Sequence, residues 1–388
     1  MPSGASAGSH EAHELRDGGE RYEGRGVLRA VDNVMGPFAE AVIGLDATRQ
    51  RDVDAALAAT DGSPNLSRLG ANAALSISLA SALAAASAAG VSLARHLAGP
   101  GDLLLPMPMF NIISGGAHAN QLLDVQDFLA LPQGARSFAE ALEWGVAVRE
   151  AATRRAQKAG HTFATLVADE GGLGLPLASN RAALELLTLA IQDAGLRPGA
   201  DVGIAIDVAA SELYRDGQYS LRSEGRVLSS SDLITELIGW VDEFPILSIE
   251  DPLDEDDWDG WEQITAALGE KVELVGDDLF VTQLNRLNEG IARHAANSVL
   301  VKVNQNGLVS RAQEVLETAH AEGYRTVVSA RSGDTEDVWL ADIAVGWRAA
   351  QIKVGSTQRS ERNAKWNRLL ELEATEATTF GGPWNERR

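Results

Sequence analysis

No cysteine occurs in the 388 residues. That absence removes disulfides, zinc–thiolate sites, iron–sulfur clusters and thiol nucleophiles together, and it fits a reducing cytosol. Basic residues are scarce as well. Lys and Arg number 33 against 55 Asp and Glu, a formal net charge of −22. A nucleic-acid surface needs Lys/Arg clusters facing phosphates, and this balance argues against one. Small anionic ligands are not excluded, because a bound cation inverts the sign locally. The opening residues, Met1 to His10, carry neither a basic n-region nor an apolar h-region, so no secretory signal is expected. The one extended low-charge stretch, Ala71 to Leu93, is Ala and Ser with scattered Leu and Ile. A membrane helix wants Leu, Ile, Val and Phe over about 20 residues. The stretch reads instead as a small-residue helix packed closely against a neighbour. A soluble, cytoplasmic protein with no membrane or nucleic-acid partner is expected.

At 45% hydrophobic and 23% charged residues, the chain supports a sizeable core. Residues 9–60 are polar and helix-like, and 61–70 form a turn cluster rich in Gly, Pro, Asn and Ser. Gly99-Pro100-Gly101 and Pro106-Met107-Pro108 mark a boundary. The expected division is a mostly helical N-terminal capping domain, 1–100, and a second domain, 101–388. Beyond Leu105 the rhythm changes. Short apolar runs at 202–207, 245–250, 273–277, 298–302, 325–329 and 351–353 alternate with helix-like segments at 229–243, 255–268, 282–294, 308–322, 335–347 and 358–373. Continuous apolar runs between helices signal buried parallel strands. Six such units without a Gly-x-Gly-x-x-Gly turn point to an α/β fold with a β/α barrel rather than an open sheet.

The strands end in charge: Asp207, Glu250, Asp277, Lys302, the segment Ser329-Ala330-Arg331-Ser332, and Lys353. In a β/α barrel the chemistry sits at those C-terminal ends. Three unpaired carboxylates on neighbouring strands would repel and raise one another's pKa. A divalent cation removes the problem, and an all-oxygen set suits Mg²⁺ or Mn²⁺. The alternative is that each carboxylate caps the helix that follows it. Lys302 and Lys353 are placed to face the cluster, where a Lys among cations acts as a base and a Lys among carboxylates alone stays protonated and pairs. Arg331 and Ser332 present donors suited to phosphate. Together the parts describe proton removal next to a carboxylate, with the resulting enolate stabilised by metal, as in the enolase superfamily with its Lys or His base and one or two Mg²⁺.

A series of segments then carries a resemblance over essentially the whole chain. They are Pro2-Ser-Gly-Ala-Ser-Ala-Gly8, Leu69-Gly-Ala-Asn-Ala73, Asn111-Ile-Ile-Ser-Gly-Gly-Ala-His118, Asp169-Glu-Gly-Gly172, Ser248-Ile-Glu-Asp-Pro252, Gly276-Asp-Asp-Leu279, Lys302-Val-Asn-Gln305, Ser329-Ala-Arg-Ser-Gly333 and Gln351-Ile-Lys353. In this order and spacing the sequence resembles the enolase (phosphopyruvate hydratase) family. The resemblance implies an enolase-type barrel with a smaller α+β domain. It implies Asp207, Glu250 and Asp277 as ligands of a first Mg²⁺, and Ser6, in a mobile loop, closing over the phosphate and helping to hold a second. It implies Lys302 as the base at C2 of 2-phosphoglycerate, and Glu170 with Asp127 in the acid machinery at the C3 hydroxyl. Lys353 is implied near the carboxylate, Arg331 and Ser332 on the phosphate, and His118 lining the pocket. The implied partner is a small anionic phospho-carboxylate, and the implied assembly a homodimer or higher homo-oligomer.

The departures from the family pattern collect around the substrate. The family has further residues before the Pro-Ser-Gly-Ala-Ser motif, so the small domain is expected to be N-terminally shortened by a strand pair. Ser-His-Arg-Ser-Gly reads with Ala330 for the His, and Gln-Glu-Phe reads Gln126-Asp127-Phe128. Ala7 replaces a Thr, Leu173-Gly-Leu-Pro176 replaces Phe-Ala-Pro, and Lys353-Val-Gly-Ser356 replaces Lys-Thr-Gly-Ala. Three readings are weighed. One is an enolase-type lyase on 2-phosphoglycerate, impaired by the departures. Another is a paralogue of secondary metabolism on a related phospho- or phosphono-carboxylate, of the carboxyphosphonoenolpyruvate synthase kind. The last is a non-catalytic binding protein that keeps the shell.

Overall fold

The computed structural model describes residues 2–162 and 164–381. Eight strands close into a barrel: β1 (Met107–Ser114), β2 (Asp127–Leu131), β3 (Gly203–Asp207), β4 (Ile246–Glu250), β5 (Glu273–Gly276), β6 (Ser298–Val301), β7 (Arg325–Ser329) and β8 (Gln351–Gly355). Neighbours pair in that order, and β8 closes on β1. All pairings from β3 to β8 are parallel, and β8 to β1 is parallel too. The exception is β2, antiparallel to both β1 and β3. The six expected strands and the helices after them are all present, with helix ends within a few residues of expectation. The first two barrel strands lie outside the six-unit reading. Pro108 and Asn111 interrupt the apolar run of β1, and β2 is not followed by a parallel unit.

Alternating residues of the strands fill the barrel lumen: Met107, Met109, Leu129, Leu131, Ala205, Val275, Leu300 and Val327. Layers of side chains of this kind make the interior a packed core and leave the chemistry to the rim. Among the described residues before Leu103, helices and turns account for all regular structure. The residues from Ser9 to Glu20 are extended and bent rather than helical, unlike the expectation for 9–60. Helical segments Leu28–Asn33 and Ala39–Val42 flank a π turn, Val34–Phe38, where Pro37 has no N–H to give.

The Ala71–Ala89 helix runs as expected, ending at Gly90 with φ +69. By length and composition it is apolar enough to cross a membrane. Here it buries Ala71, Ala73, Ala74, Leu75, Ser78, Ala82, Ala85 and Ala86 inside the protein, against the helices Gln50–Asp61 and Leu93–Ala98. The small core around Phe38, Val53, Leu57 and Leu66 also takes in Leu308 from the barrel side. That shared core seats the N-terminal segment beside the barrel mouth.

Candidate active site

The rim positions each group by topology. Asp207 and Glu250 are the last residues of β3 and β4; Asp277 and Lys302 immediately follow β5 and β6. Lys353 lies within β8, and Arg331 and Ser332 follow β7. Asp127 arrives differently. It is the first residue of β2, and because β2 is antiparallel its start lies at the rim, in register with Ser114 and Asp207. His118 comes from a 3-10 turn after β1, Gly116–Ala119. Glu170 comes from the Asp169-Glu170-Gly171-Gly172 turn, where Gly171 has φ +85 and a Cβ would stand 2.8 Å from the Gln358 carbonyl oxygen.

Ser6, His118, Glu170, Asp207, Lys302, Arg331, Ser332 and Lys353 line one polar cavity, together with Gly4, Ala5, Gln126, Ser329 and Ala330. Asp127, Glu250 and Asp277 are not among the lining residues, and each is bonded to one that is: His118, Lys353 and Lys302 respectively. The residues from Pro2 to Glu11 lie across the mouth as a strap. The Ser3 carbonyl accepts from Gly333 N at 2.9 Å, the Ala5 N–H donates to Ser332 Oγ at 2.6 Å, and the Ser6 carbonyl accepts from Arg331 Nη2 at 3.0 Å. Ser6 is therefore held here through its backbone.

The three expected metal ligands are shared between two lysines. Lys353 Nζ donates to Asp207 Oδ2 and Glu250 Oε2, each at 2.7 Å. Lys302 Nζ meets Asp277 Oδ2 at 2.5 Å, and Gln305 Nε2 donates to Asp277 Oδ1 at 2.8 Å. Burial opposes the charge of both lysines, but the carboxylates overcome it. Asp207 and Glu250 hold Lys353 well above the usual lysine range, and Asp277 raises Lys302. Each is a protonated, paired lysine in this state. Burial and then the charges of Asp207 and Asp277 push Glu250 well up, and its Oε1 is buried with no hydrogen-bond partner. A buried all-oxygen set with an unsatisfied carboxylate oxygen fits a hard divalent cation.

Among the described residues, two clusters bring ligand atoms within 4.8 Å of one another, His118–Asp127–Glu170 and Asp251–Asp277–Asp278; the expected trio Asp207, Glu250 and Asp277 is not one of them, since its carboxylates are drawn to the two lysines. In the first, His118 Nδ1 lies 3.0 Å from Asp127 Oδ2 and Nε2 lies 3.9 Å from Glu170 Oε1. Asn111 Nδ2 and Ser114 Oγ also donate to Asp127 Oδ1. Burial would lower the His118 pKa, yet the charges of Asp127 and Glu170 raise it to about 9. In the second, Asp251 accepts the backbone N–H groups of Asp277 and Asp278 at 2.9 and 2.8 Å, which orders the rim turn. Arg331 meets the strap carboxylate of Glu11 through both terminal nitrogens, at 3.0 and 3.2 Å.

Sequence reading passed over Glu11, Asn111, Ser114, Thr282 and Gln305, all hydrogen-bonded to the expected site residues. Gln126 belongs with them, donating to Asp207 Oδ2 at 3.2 Å. Periodicity carries no signal for them. The quoted motifs do contain Asn111, Ser114 and Gln305.

Comparison with known proteins agrees with this layout. The family model for "Enolase, C-terminal TIM barrel domain" matches residues 102–384, and "Enolase, N-terminal domain" matches residues 1–97. A curated enolase of Acidothermus cellulolyticus is 52% identical over 373 residues, 96% of this chain and 86% of that relative. The chain belongs to the enolase family.

Proposed function

We propose that the protein is a Mg²⁺-dependent enolase-type lyase that converts 2-phosphoglycerate to phosphoenolpyruvate and water. One observation carries the reading: two lysines, three carboxylates and a His–carboxylate cluster converge under a strap at one polar cavity on the barrel rim. The all-oxygen set with its unsatisfied Glu250 Oε1 fits one Mg²⁺. Asp207, Glu250 and Asp277 would hold it, and Ser6 would help with a second. When bound, the cations supply positive charge against the substrate's carboxylate and phosphate.

In this reading Arg331 and Ser332 take the phosphate, exchanging Glu11 and the Ala5 N–H for its oxygens. Lys353 faces the carboxylate. Lys302 takes the C2 proton, and the electron pair of the C–H bond delocalises toward the carboxylate. The C3–O bond then breaks and its electrons leave with oxygen. The departing oxygen takes its proton from the protonated His118 by way of Glu170, whose ionised carboxylate stands 3.9 Å from His118 Nε2, so that water departs. In the paired state Asp277 holds the Lys302 proton, so the base forms only once that carboxylate charge is offset. The strap excludes water from the developing charge, where fixed charges act most strongly. The same reading takes 1–100 as the capping unit and 101–388 as the barrel, places the protein in the cytoplasm, and expects a homodimer or higher homo-oligomer. Tyr22, Leu28, Val31, Met35 and Ile43 expose apolar side chains on the N-terminal unit, which supports assembly.

The test is solvent exchange at C2. Lys302→Ala is expected to abolish deuterium exchange into 2-phosphoglycerate, and phosphoenolpyruvate formation, while the protein stays folded. Retained exchange removes Lys302 from the role of base.

One observation favours a second reading. Ala330 lines the cavity and is buried, and its methyl group neither donates nor titrates. In this reading the short Ala330 side chain leaves room for the extra group of a larger phospho- or phosphono-carboxylate. Thermal stabilisation by such a ligand in Mg²⁺, without 2-phosphoglycerate turnover, is the result that selects this alternative.

A further inference from the structure

Gln305 takes no part in the proposed reaction, yet every polar group of its side chain is engaged at the site. It is fully buried, in the single helical turn Val303–Asn306 that follows Lys302. Its Oε1 accepts from Thr282 Oγ1 at 2.7 Å. Its Nε2 donates to Asp277 Oδ1 at 2.8 Å and lies 3.5 Å from Glu11 Oε1 in the strap. Its backbone carbonyl accepts from Ala12 N at 2.8 Å and from Gln283 Nε2 at 3.1 Å.

The amide has one orientation open to it. An ionised carboxylate only accepts, so the NH₂ end must face Asp277 and Glu11. The carbonyl end needs a donor, and Thr282 has a single hydroxyl proton. The other acceptor for that proton, the Leu300 carbonyl, is at 3.5 Å. The same Thr282 oxygen accepts the Lys302 N–H at 2.9 Å. One hydroxyl therefore fixes both the backbone of Lys302 and the direction of the Gln305 amide.

The turn that presents this hydroxyl is strained. Val281 and Thr282 hold φ +41 and +52, a region that β-branched residues rarely occupy and that persists only where surroundings impose it. The strap is one of those surroundings. A Cβ on Gly8 would stand 2.5 Å from Val281 Cγ1, so only glycine lets the strap lie this close.

We propose that Gln305 is a positioning residue. Its amide, aimed by Thr282, holds Asp277 in place for the cation and ties that carboxylate, the Lys302 backbone and the root of the strap into one frame. The proposal rests on the reading of Asp277 as a metal ligand. An amide does not titrate, so its donation to Oδ1 persists whichever positive charge faces Oδ2. Groups that orient metal ligands typically change metal affinity 10–100-fold when removed.

The experiment is calorimetric titration of Mg²⁺ into the EDTA-stripped, full-length protein without substrate. Asp277→Asn, Gln305→Leu, Thr282→Val and Thr282→Ser are compared with the wild type, and each variant's melting temperature is recorded in EDTA. Asp277→Asn is expected to lose tight Mg²⁺ binding. Gln305→Leu is expected to weaken Mg²⁺ affinity about tenfold or more. Thr282→Val keeps the amide but removes its orienting proton, and should weaken affinity by a smaller factor. Thr282→Ser should restore it. Wild-type affinity in both Gln305→Leu and Thr282→Val, with Asp277→Asn impaired, overturns the proposal and leaves the metal reading standing. Wild-type affinity in Asp277→Asn overturns both. If Gln305→Leu does not fold, the Thr282→Val and Thr282→Ser pair decides.

Discussion

His118 sits where burial alone would strip its proton, and Asp127 and Glu170 restore it. The folded pKa, raised to about 9, exceeds the ordinary value of about 6.5. The resulting stabilisation is fully present below about 6.5, declines as pH rises, and is gone above about 9. Unfolding of the wild type and His118→Gln by urea at about pH 6, 7.5 and 9.5 should show a stability gap that is widest at the lowest pH and narrows upward. A flat gap removes the charged pair from the site. Ala330 poses the opposite case, a pocket residue with no chemistry of its own. Ala330→His is expected to raise 2-phosphoglycerate dehydration; unchanged or lower activity means that Ala330 does not limit that reaction. At this scale the sequence displayed the charged strand ends directly, because each closes an apolar run. Glu11 and Thr282 were invisible, because their importance comes from what lies across the rim from them.

Among the elements, the Ala71–Ala89 helix shows composition setting packing. Small side chains at Ala74, Ala82, Ala85 and Ala86 let neighbouring helices approach. Ala82→Leu should therefore overpack the contact and cost about 1–3 kcal/mol. Leu83→Ala, on the exposed side, should stay within about 0.5 kcal/mol. Chemical denaturation measures both, and equal effects would mean that the helix is not packed on that face. The barrel strands divide in the same physical way. Strands β3 to β8 were legible because both faces of a parallel strand are buried, which leaves an uninterrupted apolar run. Strand β2 was not, and with it went any direct rule for Asp127: a search at strand C-termini looks at the wrong end of an antiparallel strand. The family resemblance supplied Asp127 where spacing did not.

For the molecule as a whole, a charge of −22 and an anionic substrate are reconciled at the rim. Two lysines offset Asp207, Glu250 and Asp277 in the metal-free protein, leaving Glu250 under-satisfied. Mg²⁺ should therefore stabilise the EDTA-stripped protein by mass action, by about 2.7 kcal/mol at a hundredfold excess over Kd. Glu250→Gln should behave with opposite signs in the two states. It removes the repulsion with Asp207 and Asp277, so its melting temperature without metal should equal or exceed the wild type's, and it should gain little from Mg²⁺. A full Mg²⁺ shift in Glu250→Gln would take Glu250 out of the cation site. By itself the sequence determined the fold class, the acidic surface, the absence of thiol chemistry and the charged residues at six strand ends, because apolar period and residue type are local properties of the chain. Only the tertiary structure decided that two lysines share three carboxylates, that Asp127 reaches the rim from the start of its strand, and that the strap meets Arg331 and Gln305. Those outcomes depend on strand direction and on desolvation, which arise only when distant segments are brought together.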